Sequence, residues 1–344
     1  VDLLVVGEWM PIRFFRNING QLRDVTATTG LANTSGWWNS VVGDDFDRDG
    51  DVDYVAGNLG LNSPYQPLPG RPVQVYAADF DGSGTIDPIL INNVEGQPVA
   101  VASRDALAFQ MPAARRRFPR YAHFAQATAD QVLTPDERRG AFKASCELLQ
   151  SSYLENKGGG KFAVRPLPVG AQVAPVFGLL AGDYNADGNS DILLSGNSYA
   201  SEFIVGWYDA GDGLLLLGDG KGGFAPVTTR NSGFRADGDC KGMTRLRLKD
   251  GKELVLVGRN KAVLKAFFVT KRVGKRMVAP SSLEAWGEYT NGDGRKVRKE
   301  FYYGDGYLGQ SSRQWMLPQD VTLVRIYDYS GRPHQVPVQQ LEPQ

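Results

Sequence analysis

Two histidines, His123 and His334, and two cysteines, Cys146 and Cys240, are all that 344 residues contain. So few nitrogen and sulfur ligands exclude a Cys/His zinc cluster. Neither histidine stands in surroundings that support a Ser-His-Asp arrangement. The cysteines either pair or lie as two buried thiols, and their spacing leaves both open. A dominant charge is missing too: Lys+Arg 38 balances Asp+Glu 38. No global field therefore steers the chain toward nucleic acid or an anionic membrane. Only residues 115–120 and 295–299 are locally basic. No apolar run approaches the ~18 residues of a membrane-spanning helix, and any export signal is expected in sequence before Val1.

What the chain does have is glycine, 41 residues of it, in a sequence 42% hydrophobic and 22% charged. That composition suits one large or two ordinary domains of short strands joined by tight turns. Its organising stretch is Asp45-Phe46-Asp47-Arg48-Asp49-Gly50-Asp51-Val52-Asp53, running into Tyr54-Val55-Ala56-Gly57. Asp45, Asp47, Asp49 and Asp53 occupy loop positions one, three, five and nine, and Asp51 at position seven offers its backbone carbonyl. Carboxylates this close repel one another unless a cation lies between them. Hard oxygens at alternate positions, with Gly50 where the chain turns, suit Ca²⁺.

The spacing returns as Asp79, Asp81, Ser83, Thr85 and Asp87, and again as Asp183, Asn185, Asp187, Asn189 and Asp191. An EF-hand would need glutamate at position twelve; here the residues are Ala56, Leu90 and Leu194, and each loop enters a strand-like segment. The expectation is Ca²⁺ at about three sites of a different loop type. Asp-rich turns without metal are the plain alternative.

A second phrase recurs with the loops: a strand, a glycine turn, a strand. It reads 12–22, 153–162 and 215–224, and is a hairpin signal. Val1-Asp2-Leu3-Leu4 repeats the strand entry of the loops, so the chain is expected to begin inside a repeat of a longer protein. Asp2 to Asp53 spans 51 residues (53 − 2), about one four-stranded propeller blade. Asp53 to Asp87 spans only 34 (87 − 53), which makes the intervening unit short or irregular.

Residues from about 103 to 152 read as helical: a helix from Arg104 to Phe109, a capping box at Thr134-Pro135-Asp136-Glu137, then Phe142, Cys146 and Leu149 at helical spacing. Arg115 to Tyr121 is basic with interleaved aromatics, the pattern of a solvated helix end or an anionic contact. Asp237-Gly238-Asp239 takes the place of a fourth loop without its ligand series. Leu254–Gly258 and Ala266–Val269 read as strands, followed by a turn at Asn291-Gly292-Asp293-Gly294, strands over Arg295–Tyr303 and Val321–Tyr329, and an irregular tail from Pro333.

The Asp-x-Asp-x-Asp-Gly-x-x-Asp loops resemble the FG-GAP/VCBS repeats of integrin-like β-propellers. Glu300 to Arg313, with Tyr307-Leu308-Gly309-Gln310-Ser311 at its centre, resembles an ASPIC/UnbV domain; Gly306 and Gly309 replace serines of that family's phrase. The resemblance implies an all-β fold, a β-propeller over 1–280 with the helical insertion at about 103–152, and an ASPIC/UnbV-like β domain over 281–344. Such propellers commonly have seven blades, of which this chain would supply about five. It implies a secreted or cell-surface protein, outer-membrane associated, acting in adhesion or ligand binding through a protein or glycan partner, with structural calcium and no shared catalytic residues. Trp37 and Trp38 are candidates to stack on a sugar or to plug the space between blades. The alternative is a carbohydrate-capture accessory protein or a glycan-processing enzyme such as a glycoside hydrolase, which needs two facing carboxylates; Glu8, Glu147, Glu202 and Asp209 are uncommitted, and nothing in the sequence pairs them.

Overall fold

A computed structural model describes residues 2–201, 205–248, 252–270, 276–290, 294, 296–318, 321–337 and 339–340. It is mostly β, 43% strand and 12% helix, in many small antiparallel sheets.

The chain opens with β1 (Leu3–Val5), β2 (Glu8–Met10), β3 (Arg13–Ile18) and β4 (Gln21–Asp24). Strands β1, β3 and β4 form the first sheet, and the β3–β4 hairpin turns on Asn19 and Gly20, both at positive φ. That is the mirror-image turn whose twist matches the strands, and Asn-Gly is the pair that tolerates it. β2 pairs instead with β5 (Gly36–Trp37), through a register shift between Glu8 and Met10.

β6 (Ser40–Asp44) and β7 (Asp53–Gly57) flank the first aspartate loop. The chain then leaves the sheet. β8 (Val73–Ala78), β9 (Asp87–Val94), β10 (Gln97–Ala100), five short helices and β11 (Phe142–Cys146) build a separate four-stranded sheet in the order β10-β9-β8-β11. The helices α1 (Arg104–Gln110), α2 (Pro112–Arg117), α3 (Tyr121–Ala125), α4 (Ala129–Val132) and α5 (Pro135–Arg138) bury Leu107, Met111, Val132 and Leu133 against Tyr76, Ile89 and Ile91. Only then does β12 (Ser152–Asn156) return to pair with β7, followed by β13 (Phe162–Pro166), completing the order β13-β12-β7-β6. The excursion therefore covers 58–151. The 34-residue step to Asp87 arises because that aspartate belongs to the nested sheet rather than to the next repeat.

The expected helices at Arg104 and Thr134 are present, and Thr134 and Glu137 exchange side-chain and backbone hydrogen bonds as a capping box. The helical expectation for Phe142–Leu149 is overturned: Phe142–Cys146 is a strand paired along β8. Of the basic run, Arg115 and Arg116 are exposed on the last turn of α2 and Arg120 is exposed beyond it, a solvated helix end, while Arg117 turns into the lobe. Arg117 pairs with Glu137 at 2.8 Å, and Arg104 donates to the carbonyls of Phe118 and Pro119.

β14 (Val176–Gly182), β15 (Asp191–Gly196), β16 (Leu214–Gly218) and β17 (Phe224–Val227) form a four-stranded meander. After the single turn α6 (Thr229–Ser232), β18 (Cys240–Arg247), β19 (Glu253–Arg259) and β20 (Lys265–Val269) form a three-stranded one. Cores lie between successive sheets: Phe14, Trp38, Leu154 and Phe162 between the first and second, Phe46, Val55, Tyr153, Leu179 and Ile192 between the second and the meander, and Leu193, Phe234, Met243 and Val257 beyond it. β14 packs beside both β6 and β18. The cysteines are free and buried in different clusters, so they do not pair.

The C-terminal part has β21 (Arg276–Val278), β22 (Glu284–Thr290), β23 (Lys296–Glu300), β24 (Trp315–Leu317), β25 (Leu323–Asp328), β26 (Pro333–Pro337) and β27 (Gln339–Gln340), in sheets β24-β21-β27 and β23-β22-β25-β26, over a core of Phe301, Trp315, Leu317, Val324 and Ile326. The tail expected to be irregular carries β26, an edge strand, where proline does not interrupt a ladder on both sides. Asn291, Gly292 and Asp293 of the expected turn lie outside the described residues.

Residues 305–312 form a strap along the inner strands. Ser311 Oγ accepts from the Arg245 amide at 2.9 Å, and the Ser312 amide donates to the Arg245 carbonyl at 2.8 Å, covering the unpaired edge of β18. Gly306 and Gly309 are what this contact requires. A Cβ at 306 would stand 2.9 Å from the Leu179 carbonyl oxygen, and one at 309 would overlap the carbonyl oxygens of Asp305 and Met243. Gly309→Ala is thus expected to cost about 1–3 kcal/mol by overpacking. The check is a urea midpoint together with faster proteolytic cleavage within 300–314; an unchanged midpoint and cleavage rate would leave the strap without an anchoring role.

Candidate metal centre in the aspartate loops

Each aspartate loop joins two neighbouring antiparallel strands: β6 to β7, β8 to β9, β14 to β15. All three share one backbone form. Positions four and six are left-handed in each: Arg48 and Gly50, Gly82 and Gly84, Ala186 and Gly188. A side chain at such a φ costs energy that the surrounding loop must offset. The third-position and fifth-position side chains accept amides two residues on, as Asp49 does from Asp51 at 2.9 Å, Asp81 from Ser83 at 2.9 Å, and Asn185 from Asp187 at 3.0 Å.

The ninth-position aspartate is buried and stitches hairpins together. Asp53 Oδ2 accepts from the Tyr153 hydroxyl at 2.7 Å and the Phe46 amide at 3.2 Å, while Oδ1 accepts from the Asn156 amide at 2.8 Å. Asp191 accepts from the Tyr184 amide at 2.8 Å and the Gly218 amide at 2.9 Å. Asp2 accepts from the Asn17 amide at 2.8 Å. Asn17, Asn156 and Gly218 each pair across their hairpin with the residue that ends the recurring phrase: Leu22, Phe162 and Phe224. The two repeated motifs are therefore the two ends of one hydrogen bond. Asp87 accepts only from Phe80, at 3.2 Å, among the described residues, in keeping with its nested sheet. Burial pushes the Asp53 and Asp191 carboxyls up to about 6.

The first position separates the loops. Asp79 accepts from the Ser83 and Gly84 amides at 2.9 Å each. Asp183 accepts from Ala186 and Gly188 at 2.7 Å each. Asp45 is 5% exposed, and neither of its carboxylate oxygens has a hydrogen-bond partner. Oxygens of Asp45, Asp47 and Asp49 lie within 4.8 Å of one another, as do those of Asp79, Asp81 and Asp87. In the third loop the Asn185 amide donates to Asp187 at 2.8 Å. Ser83 and Thr85 share a hydroxyl contact of 2.8 Å in the second. Burial first, then Asp44, Asp49, Asp53 and Asp47, push Asp45 up to about 7; burial also raises Asp47 and Asp183. A buried carboxylate without donors is costly, and a cation supplies what the amides do not. The loop-one oxygens therefore fit a hard divalent ion well; the loop-three set is already turned inward.

Loop one is tied to its surroundings. Lys299 pairs with Asp44 at 2.6 Å, and Arg48 donates to Asn189 of loop three at 3.3 Å. Neither pairing shows in the sequence, because both are long-range. Asp51 carries no distinguishing contact beyond its loop.

The other candidates fall elsewhere. Asp237 pairs with Lys265 and Asp239 with Lys241, so lysines take the role a cation would have had. His334 sits 2.7 Å from Glu284 in the C-terminal sheets and His123 on α3, far apart in the fold. Glu147 is exposed after β11, Asp209 is exposed, and Glu202 lies outside the described residues. Trp38 is buried, its indole donating to the Thr34 carbonyl at 2.8 Å, as a plug. Trp37 instead faces a cleft with Glu8.

No protein-family model matches this chain, and no curated protein does. Among the described residues no helix is long and apolar enough to cross a membrane.

Proposed function

We propose that the chain is a calcium-stabilised β-propeller of the FG-GAP/VCBS type with an ASPIC/UnbV-like C-terminal part, acting outside the cell as a non-catalytic binding or scaffold module. The propeller reading is supported by β6, β14 and β18, first strands of successive sheets, lying side by side while cores fill the spaces between sheets. The calcium reading rests above all on Asp45, a buried carboxylate with both oxygens unpartnered beside Asp47 and Asp49. Asp45, Asp47 and Asp49 would hold the ion, with the Asp51 carbonyl, and Asp53 would close the set from the hydrogen bonds it already makes; Asp79, Asp81, Ser83, Thr85 and Asp87 form the second set, and Asp183, Asn185, Asp187, Asn189 and Asp191 the third. The ion would supply positive charge to turns that have few apolar contacts. Exterior modules suit such sites, since calcium there is high enough for weak loops to fill.

The test is elemental analysis after dialysis against calcium, with thermal melts in calcium and in EDTA. The expected result is bound calcium and a higher melting temperature with it. Protein free of calcium, melting identically in both buffers, would sink the proposal.

A further inference from the structure

A cleft of about 610 Å³ opens where the nested lobe meets the other sheets, a size in the range of small-ligand sites, roughly 300–1,000 Å³. Trp37 and Tyr65 of its floor belong to a row of aromatic rings. Trp37 lies between Trp9 and Tyr65, with ring centroids 4.9 Å and 5.4 Å away. The row is built at some cost. Trp9 has a φ of 62°, in a register shift of β2. A bulky side chain there is a backbone outlier held in place by its surroundings. Asn58, wholly buried, holds Trp37 from below by accepting its amide proton at 3.1 Å. The opposite wall is α1 of the nested lobe, which brings Phe109, 88% exposed, to the rim. The loop after β15 adds Ser198, Ala200 and Tyr208 to the lining.

Polar side chains stand among these rings uncommitted. Among the described residues the side chains of Glu8, Asn39 and Gln110 make no hydrogen bond, and the Tyr208 hydroxyl is buried against the cleft without a partner. Partly open ring faces, flanked by a carboxylate and two amides, suit a ligand that is apolar on its ring faces and rich in hydroxyls at its edge. We propose that this cleft binds a neutral saccharide, its ring faces on Trp37 and Tyr65 and its hydroxyls on Glu8, Asn39 and Gln110. The nested lobe then has a role, since it supplies one wall. The proposal deepens the binding-module reading and rests on it.

The experiment is a titration of calcium-loaded protein with cellohexaose, xylohexaose, mannohexaose and chitohexaose, followed by tryptophan fluorescence and calorimetry. At least one sugar is expected to bind with a change in tryptophan emission. Phe109→Ala, on an exposed rim, and Glu8→Gln, at an exposed carboxylate, leave folding intact and are expected to weaken that binding about tenfold, the order of one lost charged hydrogen bond or one ring contact. Absence of binding by every sugar, in protein whose melting responds to calcium, overturns the cleft assignment while leaving the scaffold standing. Binding that both variants leave unchanged overturns it as well. Release of reducing ends would convert the cleft to a hydrolase site and overturn the non-catalytic reading. A missing calcium response would instead fall on the scaffold.

Discussion

Asp45→Asn is expected to raise the melting temperature of chelator-treated protein and to lower that of calcium-loaded protein. The sign reverses because the carboxylate meets two different environments. Without a cation its oxygens are buried, unpartnered and surrounded by Asp44, Asp47, Asp49 and Asp53. An amide removes that charge. With calcium bound, the same charge would be a ligand, and the amide a weaker one. Each effect should be about 1–3 kcal/mol, roughly 2–6 °C in a domain of this size.

Acidity gives an independent check. Without a cation, burial holds the Asp45, Asp53 and Asp191 carboxyls up at about 7, 6 and 6, well above the ordinary carboxylate range. The folded state therefore holds more protons, and its stability from these groups is fully present below about pH 4 and is lost as pH rises from there through 6 to 7. Calcium-loaded protein should show the reverse over the same window, since protons compete with the ion. Parallel pH profiles with and without calcium would count against a metal at Asp45.

Asp53→Ala is expected to destabilise the protein by about 3–5 kcal/mol in calcium and in EDTA alike, the cost of stranding buried partners. The Phe46 amide, the Asn156 amide and the Tyr153 hydroxyl would all lose their acceptor. Asparagine does not restore it, because the amide brings one acceptor oxygen to a site with donors on both sides. Urea unfolding in both buffers decides the matter. A loss confined to calcium-loaded protein would make Asp53 a ligand before it is a stitch.

These two aspartates mark how far the sequence could be read. The loops and hairpins are local patterns, so Asp45, Asp49 and Gly50, or Asn19 and Gly20, announce themselves within a few residues. The different duties of positions one and nine do not, because they depend on what lies across the fold: Tyr153 is 100 residues from Asp53. The strand Phe142–Cys146 was hidden for the same reason. Phe142, Cys146 and Leu149 happen to fit a helical period, and only pairing with β8 settles the chain as extended. The nesting of one sheet inside another carries no local signal at all. Nor does the aromatic row, whose members Trp9, Trp37 and Tyr65 come from three separate segments.

The detour between β7 and β12 also sets an order of events. Ala56 faces Ser152 across the sheet, so the ends of the 58–151 excursion leave and re-enter side by side. A flexible tether of that length would resist closure only by a few kcal/mol, growing as the logarithm of its length, and a lobe with its own core shortens the distance to be searched. During synthesis the lobe can collapse first, hold Gly57 and Ser152 near each other, and let the host sheet zip shut only after Tyr153 and Asn156 have emerged to meet the waiting Asp53.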